Sequence, residues 1–412
     1  MINILKKNTC CGCQACLNAC PVGCISLKMD DEGFYYPKVD ANKCIGCNRC
    51  EHVCPFLEQS ESKKENPLAY AMKSKNEELR AKSSSGGIFS EIALSILEMN
   101  GVVYGVVMSK DFRRSEFARI DNVSLLSPVR GSKYIQAYVN DSYKLVKRDL
   151  EDNKYVLFSG TPCQVKGLKL FLQKDYDKLF CVDLVCHGVP SPGLWNKYVE
   201  YLEAKYKANI EYVNFREKLI GWKKFGIKIQ GNNISRFLDS GSDPYMIMFL
   251  KNYSLRPSCY NCKIKKFGSL SDITLADFWG IENIMPNIDD DKGVSLALVN
   301  SNKGEAILDL ISNRIEKNEV DFEKSIKYNP AFYISVKAPK ERLKFFDDMH
   351  KMDFKGLQKK YCRKTIISRL KQFVKKTKVF SIIRRLLSRG GGVTMPKTNF
   401  VYGLLIQMKR KR

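Results

Sequence analysis

Histidine is scarce in this chain, at three of 412 residues, and tryptophan equally so. No run of eighteen apolar residues occurs, so no membrane-spanning helix is expected. No Asp or Glu follows Asp353, while residues 355–412 hold 18 Lys and Arg. Most of the net charge of +25 therefore belongs to a tail, and no nucleic-acid partner is expected for the rest. The start, MINILKKNTC, enters a cysteine-rich run with no apolar h-region or cleavage site. The expectation is a cytoplasmic, reducing location, in which sixteen cysteines are not a disulfide scaffold.

What is abundant is cysteine in one repeated spacing. Cys10, Cys13, Cys16 and Cys20 read C-x2-C-x2-C-x3-C before Pro21, and Cys44, Cys47, Cys50 and Cys54 repeat it before Pro55. This is the spacing of the two-cluster bacterial ferredoxin, whose thiolates hold a pair of [4Fe–4S] clusters. Two-residue gaps let a tight turn aim three sulfurs at one corner of a cube. The fourth cysteine, beyond a longer gap, ligates the opposite cluster. One cluster is thus assigned Cys10, Cys13, Cys16 and Cys54, the other Cys44, Cys47, Cys50 and Cys20. Cys11 and Cys24 fall outside the repeat and read as small buried residues.

Residues 1–58 form this dicluster unit, with short strands joined by an Asp30–Gly33 turn. The polar stretch 59–66 reads as a linker. Beyond it, 67–150 and 151–345 alternate strands, small-residue loops and helices, and 346–412 is a basic tail. The fold class expected is α/β (α+β), a small ferredoxin-like unit before a larger mixed body. Helices are expected at Ile88–Glu98 and Gly304–Glu316. In the second βαβ unit Cys163 and Cys186 each follow the carboxyl end of a strand, so parallel pairing brings both to the sheet edge where α/β proteins bind ligands.

Cys163, Cys186, Cys259 and Cys262 could complete a third [4Fe–4S] site. The alternative is two buried strand-end residues beside a small zinc or redox pair. The Ser83–Gly87 loop before a helix offers backbone N–H groups to a phosphate, although serine also simply caps helices. His187, in a loop at the same edge, can donate a proton or a hydrogen bond to a reduced ring, or equally make a structural hydrogen bond. Lys133 lies in a turn where it could meet a phosphate. Thr365 to Ser388 has the spacing of a basic amphipathic helix, suited either to an anionic membrane surface or to docking on the body.

Taken together, SSSGGIF, GSKYIQA, SGTPCQVKGL, CHGVPSPGLW, CYNCK and SDITLADFWG resemble the beta subunit of coenzyme F420-reducing hydrogenase and F420-linked formate dehydrogenase. The dicluster unit is similar to that of bacterial members associated with polysaccharide synthesis. The resemblance implies a non-covalent FAD and at least one [4Fe–4S] cluster in the larger region. It assigns Ser84, Gly86, Gly87 and Lys133 to the flavin, and Cys163, Cys186, Cys259 and Cys262 to the cluster. It implies electron transfer from a ferredoxin-like donor or partner oxidoreductase subunit to a small-molecule substrate, organic or deazaflavin-like. Near Cys163, His187 and Asp277 are expected on the substrate-facing wall, both as catalytic residues. A non-catalytic electron-transfer subunit feeding a partner oxidoreductase is the competing reading.

Overall fold

The computed structural model describes residues 2, 6–58, 66–266 and 268–363; the amphipathic segment Thr365–Ser388 and its membrane contact lie outside the described residues. Each half of the cysteine run makes a tight loop that must turn left-handed twice. Gly12 and Gly46 have φ of +75° and +67°, and Gln14 and Asn48 φ of 60° and 55°. Positions 34 residues apart thus share conformation as well as spacing. Short helices follow at Ala15–Ala19 and Arg49–His52. Between them, β1 (Ile25–Met29) and β2 (Tyr35–Val39) pair antiparallel. Asp30 closes their turn, its Oδ1 accepting the N–H groups of Glu32 and Phe34.

The body is built on β3 (Leu68–Ser74), β4 (Val102–Met108), β5 (Ser115–Ile120), β6 (Ala137–Tyr138), β7 (Val156–Ser159) and β8 (Leu179–Leu184). A separate antiparallel sheet comprises β9 (Ile210–Glu217), β10 (Gly226–Gly231) and β11 (Ile234–Asp239). The chain then returns with β12 (Ile273–Asp277), β13 (Ser295–Val299) and β14 (Ile315–Val320). The main sheet is mixed α/β, of nine strands ordered β14-β3-β13-β12-β8-β7-β4-β5-β6. Its central strands β12, β8, β7 and β4 run parallel and are nearly continuous apolar runs, as burial on both faces requires.

One face of this sheet packs against the helix Ile88–Glu98, whose Ile88, Ile92 and Ile96 meet Val103, Leu157 and Phe180. Each such isoleucine contributes about 1.5–3 kcal/mol on burial. The other face packs Val102, Tyr104, Val156 and Phe158 against Val165 and Leu168 of the helix Pro162–Leu172. Cys13, Ala15 and Val53 of the dicluster unit join this second core. Residues 1–361 accordingly form one compact unit.

Two expectations are corrected. The helix expected over Gly304–Glu316 ends at Leu310, capped at its start by Ser301. Ile315, placed on its apolar stripe, instead begins β14, where it and Val320 are buried on the outer flank of β3. The expected boundary before 346 falls inside the helix Arg342–Lys351, which buries Phe345, Phe346 and Met349. Among the described residues no helix is long and apolar enough to cross a membrane.

Candidate functional site

The parallel strands aim their carboxyl ends at one edge of the main sheet, and the loops leaving them build a cavity of about 300 Å³ there. Ser84, Gly87, Lys133, Cys163 and Asp277 line it. Gly105 in β4, Gln136 and the dicluster residues Cys11 and Gly12 complete its inner wall. Its volume lies at the lower end of small-molecule sites.

The Ser83–Gly87 loop reaches the cavity because β3 runs antiparallel to β13, so both Ser295 and the end of β3 lie at this edge. Gly86 differs from the expectation. Its N–H already donates to Ser295 Oγ at 3.0 Å, and a Cβ there would meet Met72 O at 2.4 Å. Gly86 therefore serves close packing rather than offering a free donor. Gly87, at φ +91°, starts the helix whose first residues Ile88, Phe89 and Ser90 face the cavity. Ser84 Oγ accepts from Ser132 N at 2.9 Å, tying this loop to the turn that carries Lys133. Lys133 donates to the carbonyls of Pro128 and Arg130 at 2.7 and 2.8 Å. Burial lowers its pKa from 10.5 to about 7.

Asp277 is committed on both oxygens, to Arg216 Nη2 at 2.7 Å and Trp222 Nε1 at 2.8 Å. That arrangement fixes Asp277 at the cavity rim with one donor on each oxygen. Arg216 is 2 % exposed and stacks over Phe225. His187 does not line this cavity. It lines a second cavity with Cys163, Cys186, Cys259 and Cys262, bonded to Asn252 Oδ1 at 2.7 Å and edge-on to Phe249. Burial holds its pKa below the usual imidazole value.

The sulfurs gather in three groups. Cys20, Cys44, Cys47 and Cys50 surround one small cavity, with Cys24 beside Cys20 at an Sγ–Sγ distance of 3.4 Å. Cys10, Cys13, Cys16 and Cys54 surround a second, shared with Cys11. Cys163, Cys186, Cys259 and Cys262 surround the third, again with Cys11. The helix Pro162–Leu172 delivers Cys163 in its first turn, because Gln164 Oε1 caps the N–H of Thr161 at 2.9 Å.

Among the described residues no three His, Cys, Asp or Glu side chains are arranged to hold a single metal ion. One ion draws its donors to within 2.0–2.3 Å, whereas the thiolates of a four-iron cube each take a separate iron. Burial, reinforced by neighbouring thiolates, raises Cys16 and Cys186 well above the ordinary thiol and pushes Cys259 up to about 12.

Three residues escape sequence reading. Cys11 faces the second and third sulfur groups and the large cavity alike. It had only its doubling of Cys10 as a signal. Gln136 and Arg256 meet at 3.0 Å beside Gly12. Nothing local marks either.

Residues 9–57 match the 4Fe-4S dicluster domain. Residues 69–142 match the N-terminal part, and 153–324 the C-terminal part, of the coenzyme F420 hydrogenase/dehydrogenase beta subunit. No curated protein matches. Among solved structures, a chain from the xenon-derivatised F420-reducing [NiFe] hydrogenase complex of Methanosarcina barkeri is similar at 14% identity and a TM-score of 0.43. The match covers 66% of this chain and 93% of that one.

Proposed function

This chain belongs to the coenzyme F420 hydrogenase/dehydrogenase beta subunit family, and from that premise we propose that it is an iron–sulfur flavoprotein oxidoreductase. In this reading it passes electrons between a ferredoxin-like donor or partner subunit, three [4Fe–4S] clusters, FAD and a small organic or deazaflavin-like substrate. The observation that carries the reading is the continuity of the sites. The sulfur group of Cys10 adjoins that of Cys163 through Cys11, and Cys163 lines both its own sulfur group and the large cavity.

Flavin, when bound, exchanges electrons singly or in pairs and so links one-electron clusters to a two-electron substrate. The residues supply the setting. Ser84, Gly87 and the helix start behind them offer donors for an anionic group. Lys133, held by the carbonyls of Pro128 and Arg130, sets a nitrogen donor on the same wall. Asp277 positions Arg216 at the rim, and His187 serves the third sulfur group from its hydrogen bond with Asn252. The association with polysaccharide synthesis is carried by resemblance alone.

Anaerobic purification with an absorbance spectrum and an iron count tests this. Yellow flavin bands with roughly twelve irons, from three four-iron clusters, are expected. Roughly eight irons and no flavin would favour the electron-transfer subunit without its own substrate. Colourless protein with zinc or disulfides would overturn both.

A further inference from the structure

Arg256 is a fully buried guanidinium, 0 % exposed, with no carboxylate in ion-pair reach among the described residues. Its Nε donates to the carbonyl of Cys10 at 2.8 Å, and its Nη2 to Cys10 Sγ at 3.4 Å. Its Nη1 donates to Tyr35 O at 3.1 Å and to Gln136 Oε1 at 3.0 Å. The cation also lies 4.0 Å from the ring centroid of Tyr36. Every acceptor here is neutral except Cys10 Sγ once ionised. A charge taken so far from water is costly unless something opposite stands beside it. The thiolate of Cys10, in direct contact, is the group best placed to oppose it, and the charge also reaches Cys163 and Cys259 more weakly.

We infer that Arg256 is the counter-charge that sets the reduction potential of the cluster held by Cys10, Cys13, Cys16 and Cys54. The inference rests on the cluster reading above. Each electron accepted makes a thiolate-bound centre more negative, so a fixed cation at hydrogen-bond distance favours the reduced state. Opposite charge at such range shifts a proton equilibrium by about 1–3 pKa units, and the same electrostatics applies to an electron. The arrangement is directional. Arg256 occupies Gln136 Oε1, leaving Gln136 Nε2 buried, without a partner, and on the wall of the large cavity. The cation therefore favours electron density at the centre nearest the body, while Cys20, Cys44, Cys47 and Cys50 have no contact with it.

The test is EPR-monitored redox titration of the full-length, cluster-loaded protein. Arg256→Met removes the charge. Arg256→Lys keeps it without the fork. Gln136→Glu leaves Arg256 in place and sets a carboxylate against it. Arg256→Met and Gln136→Glu should each lower the potential of one cluster so that its oxidised-to-reduced ratio at fixed potential rises at least tenfold, about 59 mV for one electron. Arg256→Lys should stay near wild type, and the cluster of Cys20, Cys44, Cys47 and Cys50 should not move. An unchanged potential in iron-loaded Gln136→Glu overturns the inference, whether or not Arg256→Met folds. So does an Arg256→Lys shift as large as that of Arg256→Met. Wild-type protein without iron would instead refute the cluster reading beneath it, and the iron count separates the two failures.

Discussion

The two halves of the cysteine run share a spacing, a trailing proline and a pair of left-handed residues, yet their surroundings are opposite. In the first half, Cys13 and Cys16 are buried, Tyr143 Oη donates to Cys13 O at 3.0 Å, and Gln14 Oε1 accepts the N–H of Val139. In the second, Cys47 is exposed, Ile45 is 64% exposed, and a Cβ added to Gly46 would meet nothing within 4 Å. The repeat thus fixes which atoms can bind iron, and the body decides which way each half faces. The half around Cys47 is open to a redox partner. The half around Cys13 is enclosed by Arg256, Gln136 and the cavity wall.

The strongest way to break this comparison is to delete one member of each crossed set. Cys20→Ser should remove about four irons together with the signal of the exposed centre, leaving the enclosed one. Cys54→Ser should do the reverse. EPR of the reduced variants with an iron count reads both, and loss of the enclosed centre from Cys20→Ser would show that each half holds its own cluster without exchange.

A smaller effect sharpens the difference in environment. Gly12→Ala and Gly46→Ala impose the same left-handed strain, about 1–2 kcal/mol. At Gly12 the methyl would also meet Gln136 Nε2 at 2.4 Å and Arg256 Cζ at 3.1 Å, adding an overpacking cost of about 1–3 kcal/mol. Denaturant unfolding under anaerobic conditions should therefore rank Gly12→Ala well below Gly46→Ala. Equal losses would mean that Arg256 and Gln136 yield freely, and that the enclosed half is no more tightly held than the exposed one.

The sequence made the ferredoxin-type unit legible because its chemistry is local: four thiolates within eleven residues declare themselves by spacing. The parallel β7–β8 pairing was legible too, since two apolar runs joined by a helix allow little else. What stayed hidden depends on distance along the chain. Arg256 reaches Cys10 across 246 residues, and no periodicity records that. Asp277 ends its strand as expected, but its partners Arg216 and Trp222 come from the separate sheet of β9–β11 and the loop after β9. The composition of a strand end does not say whether its carboxylate is open or tied. Ile315 misled for a related reason, because one apolar residue suits a helix stripe and a flanking strand equally well.

The smallest effect concerns the cavity that only the enclosed half faces. Burial lowers the pKa of Lys133 from 10.5 to about 7, so between those values the unfolded chain binds a proton that the folded chain does not. Stability must then rise with pH across that window, and the penalty is fully present below pH 7. Lys133→Met deletes this contribution along with two donors to Pro128 O and Arg130 O. The variant should lose the upward slope, shown by denaturant unfolding of both proteins at pH values spanning 7 to 10.5. Thiols with raised pKa values slope the other way, but they are common to both proteins and cancel in the difference. Gly46→Ala, at the exposed half, should keep the wild-type slope. If Lys133→Met kept it as well, Lys133 would be charged in the folded protein at neutral pH, and the cavity it lines would be wetter than its burial implies.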